Sequence, residues 1–327
     1  MSKSASKPVP ESRGNSVEWV TIAADQAGQR LDNFLLTYLK GVPRSMIYRI
    51  IRKGEVRINK ARIKPEYRLQ PGDLVRVPPV SRPQKGEVPM PGERLRRQVE
   101  DAVVYEDDNL LLINKPTGLA VHGGSGLDFG LIEVLRAARP DARFLELVHR
   151  LDRDTSGILM VAKRRPALRW LQDQIRQHQV TKRYHALVVG RWPAGRDEVD
   201  APLLKNELSS GERLVRVAEG GKDSITRYRT LETFSGYTLV EAIPVTGRTH
   251  QIRVHCQFAG HPIAGDEKYM DDASLKAFKA IAGRRLMLHA HALEFCLPGE
   301  TRVKRFEASW DAAFSQVIEM LRQRESS

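Results

Sequence analysis

Residues 149–157, "HRLDRDTSG", set a histidine, two arginines and two carboxylates within nine positions and close on Thr-Ser-Gly. Apolar residues crowd both flanks, with Phe144, Leu145, Leu147 and Val148 before the stretch and "ILMVAK" after it. Two segments ready for burial with charge between them read as a polar loop at a strand end. Functional side chains collect at such ends, on loops held by a rigid scaffold.

Further apolar segments surround this one: "AVVYEDDNLLLINKP", "YHALVVG", "YTLVEAIPV" and "LHAHALEFC" read as strands of a substantial sheet. Helical periods interleave them at 130–138, 166–178 and 249–260, the last with Thr249 as its cap and Gly260 as its stop. The spacing is irregular, which predicts an α+β domain with a mixed, mainly antiparallel sheet and flanking helices rather than repeated parallel units. This domain is expected over 101–327. Residues 81–100, rich in proline and charge without an apolar period, read as a linker, and residues 1–18 as a disordered polar tail.

The first third has a different composition. Residues 1–100 hold 20 of the 53 lysines and arginines but only 10 of the 40 acidic residues, so most of the net charge of +13 belongs there. Between Lys40 and Lys64 the basic residues Arg44, Arg49, Arg52, Lys53, Arg57, Lys60 and Arg62 face one acid, Glu55. So local an excess suits a polyanion, with nucleic acid ahead of a membrane surface. The segment "QRLDNFLLTYL" has a helical period, and Ser45 could cap a second helix, "SMIYRIIRKG". "EVRIN" and "LVRVPP" alternate like a short β-hairpin. Residues 19–80 thus make a small α/β module that resembles the RNA-binding domain named after ribosomal protein S-four.

At 327 residues, 41% of them hydrophobic, the chain has enough material for two domains and a real core. No apolar run approaches the roughly 18–20 residues needed to span a bilayer. The N-terminus lacks the apolar core of a secretory signal. Cys256 and Cys296 have neither a close pairing nor metal-ligand spacing and are expected as buried thiols. A cytoplasmic protein is expected.

The chemistry-bearing motifs are few. There is no phosphate loop, no dinucleotide fingerprint, no zinc-protease helix and no nucleophile elbow. His250 and His255 have no carboxylate partner nearby in sequence, so neither a metal nor a cofactor is expected. Besides "HRLDRDTSG", one polar cluster remains, "PVTGRTHQIRVH" at 244–255, in which Arg248 precedes a helix and Arg253 projects from it.

Read in order, "NKPTGLAVHGG", "HRLDRDTSGILMVAK", "KRYHALVVG", "APLLKNELSSGERLVRV" and "PVTGRTHQIRVHCQFAGHPIAGD" resemble the RNA pseudouridine synthases of the RluA type. Within that family the basic N-terminal module points to enzymes that modify large-subunit ribosomal RNA. The resemblance implies that Asp152 is the catalytic aspartate and that Arg253 pairs with it. It also implies that Arg150 enters the RNA stack as the target base leaves, and that Tyr184 packs on the flipped uracil. Arg248 and the basic residues of the N-terminal module, Arg44 to Lys64, would hold RNA. Asp154 has no counterpart and reads as a surface charge, and His149 as a hydrogen-bonding residue of the turn.

Converting uridine to pseudouridine breaks the N-glycosidic bond, turns the uracil and rejoins it through carbon. This needs one ionised carboxylate beside the sugar, attacking it or removing a proton from it. Burial would raise that carboxylate's pKa, so an opposing guanidinium is required. The nucleotide must also flip out of its stack. A monomer suffices for all of this. The alternative is a non-catalytic RNA-binding ribosome-assembly factor on the same fold, which predicts loss of Asp152 or Arg253; both are present. A metal-dependent nuclease would need a cluster of carboxylates and histidines that the motifs do not supply.

Overall fold

The computed structural model describes residues 17–39, 42, 44–80, 90–123, 129–207 and 213–325. The tail up to residue 16, Lys40 and the first part of the expected linker, 81–89, lie outside the described residues. The chain divides into two units, Met1–Pro89 and Met90–Ser327.

In the first unit, strand β1 (Glu18–Thr21) is followed by helices α1 (Leu31–Tyr38) and α2 (Arg44–Arg52) and strands β2 (Arg57–Ile58) and β3 (Leu74–Val77). The strands form an antiparallel sheet in the order β1-β3-β2, so the expected hairpin is a three-stranded sheet. The strand β1 takes in Glu18, so the ordered module begins before the expected boundary at residue 19. Leu31, Phe34 and Leu35 of α1 and Ile47, Ile50 and Ile51 of α2 are all buried, the two apolar faces meeting over Val75 and Val77. Ser45 is not a cap, because α2 already starts at Arg44. Instead Asp32 ties the two helices, accepting from Tyr48 at 3.0 Å and from Arg30 at 2.7 Å.

The second unit opens with a helix where a linker was expected. α3 (Glu93–Asp101) forms because Leu95 and Val99, four apart, can pack on the core while its many charges stay outside. Next come β4 (Val103–Glu106), β5 (Leu110–Lys115), α4 (Leu131–Ala138), β6 (Glu146–Leu147), β7 (Ser156–Ala162), α5 (Arg165–Arg176) and β8 (Thr181–Val189). They are followed by β9 (Glu198–Asp200), β10 (Leu203–Glu207), β11 (Arg213–Val217), β12 (Ile225–Phe234), β13 (Tyr237–Pro244) and α6 (Gln251–Phe258). The unit closes with α7 (Asp272–Ala282), β14 (Leu288–Cys296), β15 (Val303–Glu307) and α8 (Ala312–Glu325).

The main sheet runs β4-β5-β7-β14-β8-β13-β12-β9, with β6 on β7 and β15 on β14, while β10 and β11 pair as a separate hairpin. Its pairs are antiparallel except β7 with β14, where Ser156 faces His289 and Gly157 faces Ala290. A mixed, mainly antiparallel sheet with flanking helices is what the irregular spacing of apolar segments predicted. The parallel seam needs Gly157: its φ is +110°, and a Cβ there would strike the backbone carbonyl of Ala290. On the other side of Ala290 lies Tyr184 of β8, which contacts both large hydrophobic clusters of the unit. Both cysteines are free thiols. Cys256 is buried, which pushes its pKa up to about 12, whereas Cys296 is only half-buried, contrary to expectation.

Candidate active site

"HRLDRDTSG" is the connection from β6 to β7, so its charge does sit at a strand end. Two contacts aim it. His149 turns its ring back onto β7, where Nε2 accepts from the Met160 amide at 3.2 Å, in place of a ladder carbonyl. The ring thus bonds the strand, not merely its own turn as expected. Burial and the nearby Lys182 charge lower its pKa to about 3, so it is neutral. Downstream, the ammonium of the fully buried Lys115 donates to the carbonyls of Arg153, Pro116 and Leu119 at 2.8–2.9 Å. Three protons meet three carbonyl oxygens, and the loop after Asp152 is anchored. The Thr117 hydroxyl adds a bond to the Asp154 carbonyl at 2.8 Å. Asp154 itself points outward to Arg153, the surface charge that was expected.

The second motif arrives from the other half of the sheet. After β13 the chain loops back through Thr246 and Arg248 into α6, and Gln251 organises the turn. Its Oε1 accepts from Thr246 Oγ1 at 2.7 Å and the Arg248 amide at 3.0 Å, while Nε2 donates to Ile225 of β12 at 2.9 Å. Thr249 is not the cap. His250 occupies that position with a left-handed φ of 54° and no side-chain cap, and Gln251 satisfies the turn instead.

This turn delivers Arg253 to Asp152. Arg253 Nη1 lies 3.5 Å from Asp152 Oδ2, while its Nε and Nη2 are each 2.7 Å from the carboxylate of Asp266. The guanidinium also lies over the Tyr269 ring, 5.1 Å from its centroid. Burial disfavours the Arg253 charge, but Asp266 and Asp152 outweigh it and hold its pKa above the ordinary value. His250 Nε2 is 3.7 Å from the same Asp152 oxygen, and its Nδ1 bonds the Tyr269 hydroxyl at 2.7 Å. His250 has no carboxylate close to it along the chain, yet folding brings Asp152 from about a hundred residues away. Burial lowers its pKa against the pull of Asp152. His255, by contrast, is tied to Thr226 and the Ala201 carbonyl within the core.

Tyr184, Asp152, Arg150, Arg248 and Arg253 line one cleft of about 300 Å³, joined by Lys182, His149 and the apolar Ile175, Pro244 and Leu288. That is room for a nucleobase and part of its sugar. Burial, with the Asp152 charge beside it, raises the Tyr184 pKa and keeps its hydroxyl protonated. Arg150 is exposed at the mouth, and Arg248 is held by the Asp223 carbonyl at 3.2 Å. A larger hollow of about 780 Å³ lies beside α3, but neither Asp152 nor Tyr184 borders it.

Asp266, His250, Tyr269 and Lys115 were given no role by the sequence reading. Asp266 had a signal: it ends the last quoted motif, and a buried arginine needs a carboxylate. Another missed group, Arg285, is buried and bonds Ser156 Oγ at 2.7 Å, while Ser156 pairs with His289 Nδ1 at 2.8 Å beneath the loop. Among the described residues no group of three or more histidines, cysteines or carboxylates is placed to hold a metal.

Arg49, Arg52, Lys53, Arg57, Lys60, Arg62 and Lys64 are all exposed. Arg57 bonds the Gly54 carbonyl at 3.1 Å and Arg62 that of Lys53 at 3.2 Å, gathering four of these around the α2–β2 turn. Arg44 contributes the first residue of α2.

Comparison with known proteins agrees with this architecture. Residues 109–258 match the RNA pseudouridylate synthase family and residues 29–75 the S4 domain. The ribosomal large subunit pseudouridine synthase C of Haemophilus influenzae is 56% identical over 94% of this chain and 96% of its own. Its namesake in Escherichia coli is 57% identical over 94% and 97%. Among solved structures, human RNA pseudouridylate synthase domain containing 4 superposes with a TM-score of 0.58 at 29% identity, covering 70% of this chain and 96% of that one.

Proposed function

The chain belongs to the RNA pseudouridylate synthase family, and from that premise we propose that it isomerises uridines of large-subunit ribosomal RNA, with Asp152 as the carboxylate that acts on the ribose. The observation carrying this reading is the convergence of Asp152, Arg253 and Tyr184 on one nucleobase-sized cleft. Arg253 offsets the cost of keeping a carboxylate ionised in a site that substrate will close off from water. Tyr184 offers a ring for the flipped base to stack on, which offsets part of the few kcal/mol that flipping costs. Arg150, exposed at the mouth, is suited to fill the gap the base leaves in the RNA stack. Arg248, exposed among the residues lining the cleft, is suited to meet the flanking RNA backbone.

The division of labour follows the two units. The basic residues of the module at 19–80 anchor RNA through phosphates and shape, while the domain from α3 onward performs the isomerisation. The enzyme acts as a cytoplasmic monomer. Among the described residues no helix is long and apolar enough to cross a membrane. A non-catalytic assembly factor would have no need to hold a carboxylate against a guanidinium beside an open aromatic ring.

The test is pseudouridine mapping of large-subunit ribosomal RNA in cells lacking the gene, complemented with wild type or Asp152→Asn. Sites should vanish on deletion, return with wild type and stay absent with the variant. Restoration by the variant would remove Asp152 from the chemistry.

A further inference from the structure

One cation of the cleft takes no part in the chemistry proposed for Asp152. Lys182 lies on β8 two residues before Tyr184, so the two side chains leave the same face of the sheet, roughly 7 Å apart along the strand. Both line the cleft that Asp152 borders. Of the other residues lining it, Ile175 and Leu288 are hydrocarbon, and the His149 ring is neutral and bonded to Met160.

Among the described residues, the Lys182 ammonium has no hydrogen-bond or ion-pair partner, and burial alone lowers its pKa. The buried cations near the cleft are partnered, Lys115 by three carbonyls, Arg253 by Asp266, and Arg285 by Asp311. Lys182 is half-buried in the cleft wall, and an ammonium there without a counter-charge is placed to gain from a ligand that bears negative charge at that point.

Resting on the isomerase reading, we propose that Lys182 donates to a carbonyl oxygen of the flipped uracil and stabilises the negative charge the base acquires during the reaction. By either route open to Asp152, the N1–C1′ bond breaks with its electron pair passing to the base. The resulting uracil anion spreads its charge over N1 and the carbonyl oxygens O2 and O4. Lys182 keeps its proton and holds one of those oxygens while the ring turns. The C5–C1′ bond then forms, the C5 proton leaves, and N1 takes one up, so atoms and charge balance with no other reactant. A base stacked on Tyr184 with its sugar at Asp152 carries O4 on the edge away from the sugar, and Lys182 lines the same cleft. An ammonium fixed there acts mainly on charge that develops in the transition state.

Wild type, K182M, K182R and K182Q would be compared on an unmodified transcript of the large-subunit ribosomal RNA. Single-turnover rates at saturating RNA, Kd at several salt concentrations and melting temperatures would be measured. K182M is expected to be about tenfold or more slower at saturation, with Kd within about twofold and an unchanged salt slope. K182R, which keeps the charge, should recover more of the rate than K182Q, which keeps only a donor. If K182M melts early, the comparison of K182R with K182Q decides alone. Variants as fast as wild type would overturn the proposal. So would a weaker Kd with a salt slope lower by about one and an intact saturated rate, which marks a phosphate contact. An inactive wild type would instead overturn the isomerase reading itself.

Discussion

Arg253 divides its guanidinium between two carboxylates, gripping Asp266 with two bonds of 2.7 Å and leaving Nη1 at 3.5 Å from Asp152. The tight pair fixes the arginine; the loose one leaves Asp152 room to meet a substrate. The two aspartates should therefore respond differently to the same substitution. Asp266→Asn breaks a buried pair and should cost about 3–5 kcal/mol of stability, together with most activity. Asp152→Asn, at a cleft surface, should abolish pseudouridine formation while leaving the denaturant midpoint near that of wild type. Urea unfolding beside a pseudouridine assay separates the two, and equal destabilisation would contradict the division.

The parallel seam between β7 and β14 carries a second prediction. Gly157→Ala would force an L-residue to φ +110° and drive its Cβ into the Ala290 carbonyl. Neither strand can retreat, since Ala290 is also paired with Tyr184. The expected outcome is a loss of more than about 2 kcal/mol, or failure to fold, read by thermal melting. A variant melting like wild type would mean that the seam is looser than its register implies.

Buried neutral histidines set an acid limit. His149 titrates at about 3 and His289 at about 4 in the folded protein, both below the ordinary 6.5 because burial penalises the charged ring. The unfolded chain therefore binds more protons than the folded one between these values, so stability rises with pH across that window. It is fully present above about 6.5 and is lost progressively as pH falls toward 4. His289→Gln should flatten the stability curve over that range, as measured by urea midpoints at each pH. An unchanged slope would show that His289 is already protonated in the folded state.

Much of this site was legible in the sequence because its parts are local. "HRLDRDTSG" carries its own flanking strands, and "TGRTHQIRVH" its own helix. What escaped was long-range. Asp152 meets His250, and Ser156 meets His289, across separations that no periodicity records. Lys115 looked like the end of a strand, and only its burial reveals a loop anchor. The helix α3 was hidden because two apolar residues, Leu95 and Val99, suffice once a core is there to receive them. Thr249 lost its capping role to Gln251, whose amide bonds a strand that the sequence reading had not found.

The basic turn of the first unit gives the last prediction. Lys53, Arg57, Lys60 and Arg62 are exposed, and the Arg57 and Arg62 contacts are to backbone carbonyls, which leave their charge uncompensated. If these residues meet RNA phosphates, each lost contact should lower the slope of log Kd against log salt by about 0.7–0.9. Replacing all four by alanine should thus weaken RNA binding strongly at low salt and much less at high salt. The single-turnover rate at saturating RNA should not change, because Asp152 and Tyr184 belong to the other unit. Filter binding across a salt series, run beside the rate measurement, checks both halves. A variant with normal affinity and slope would move RNA anchoring away from this turn, and one with a slower saturated rate would give the turn a part in the chemistry.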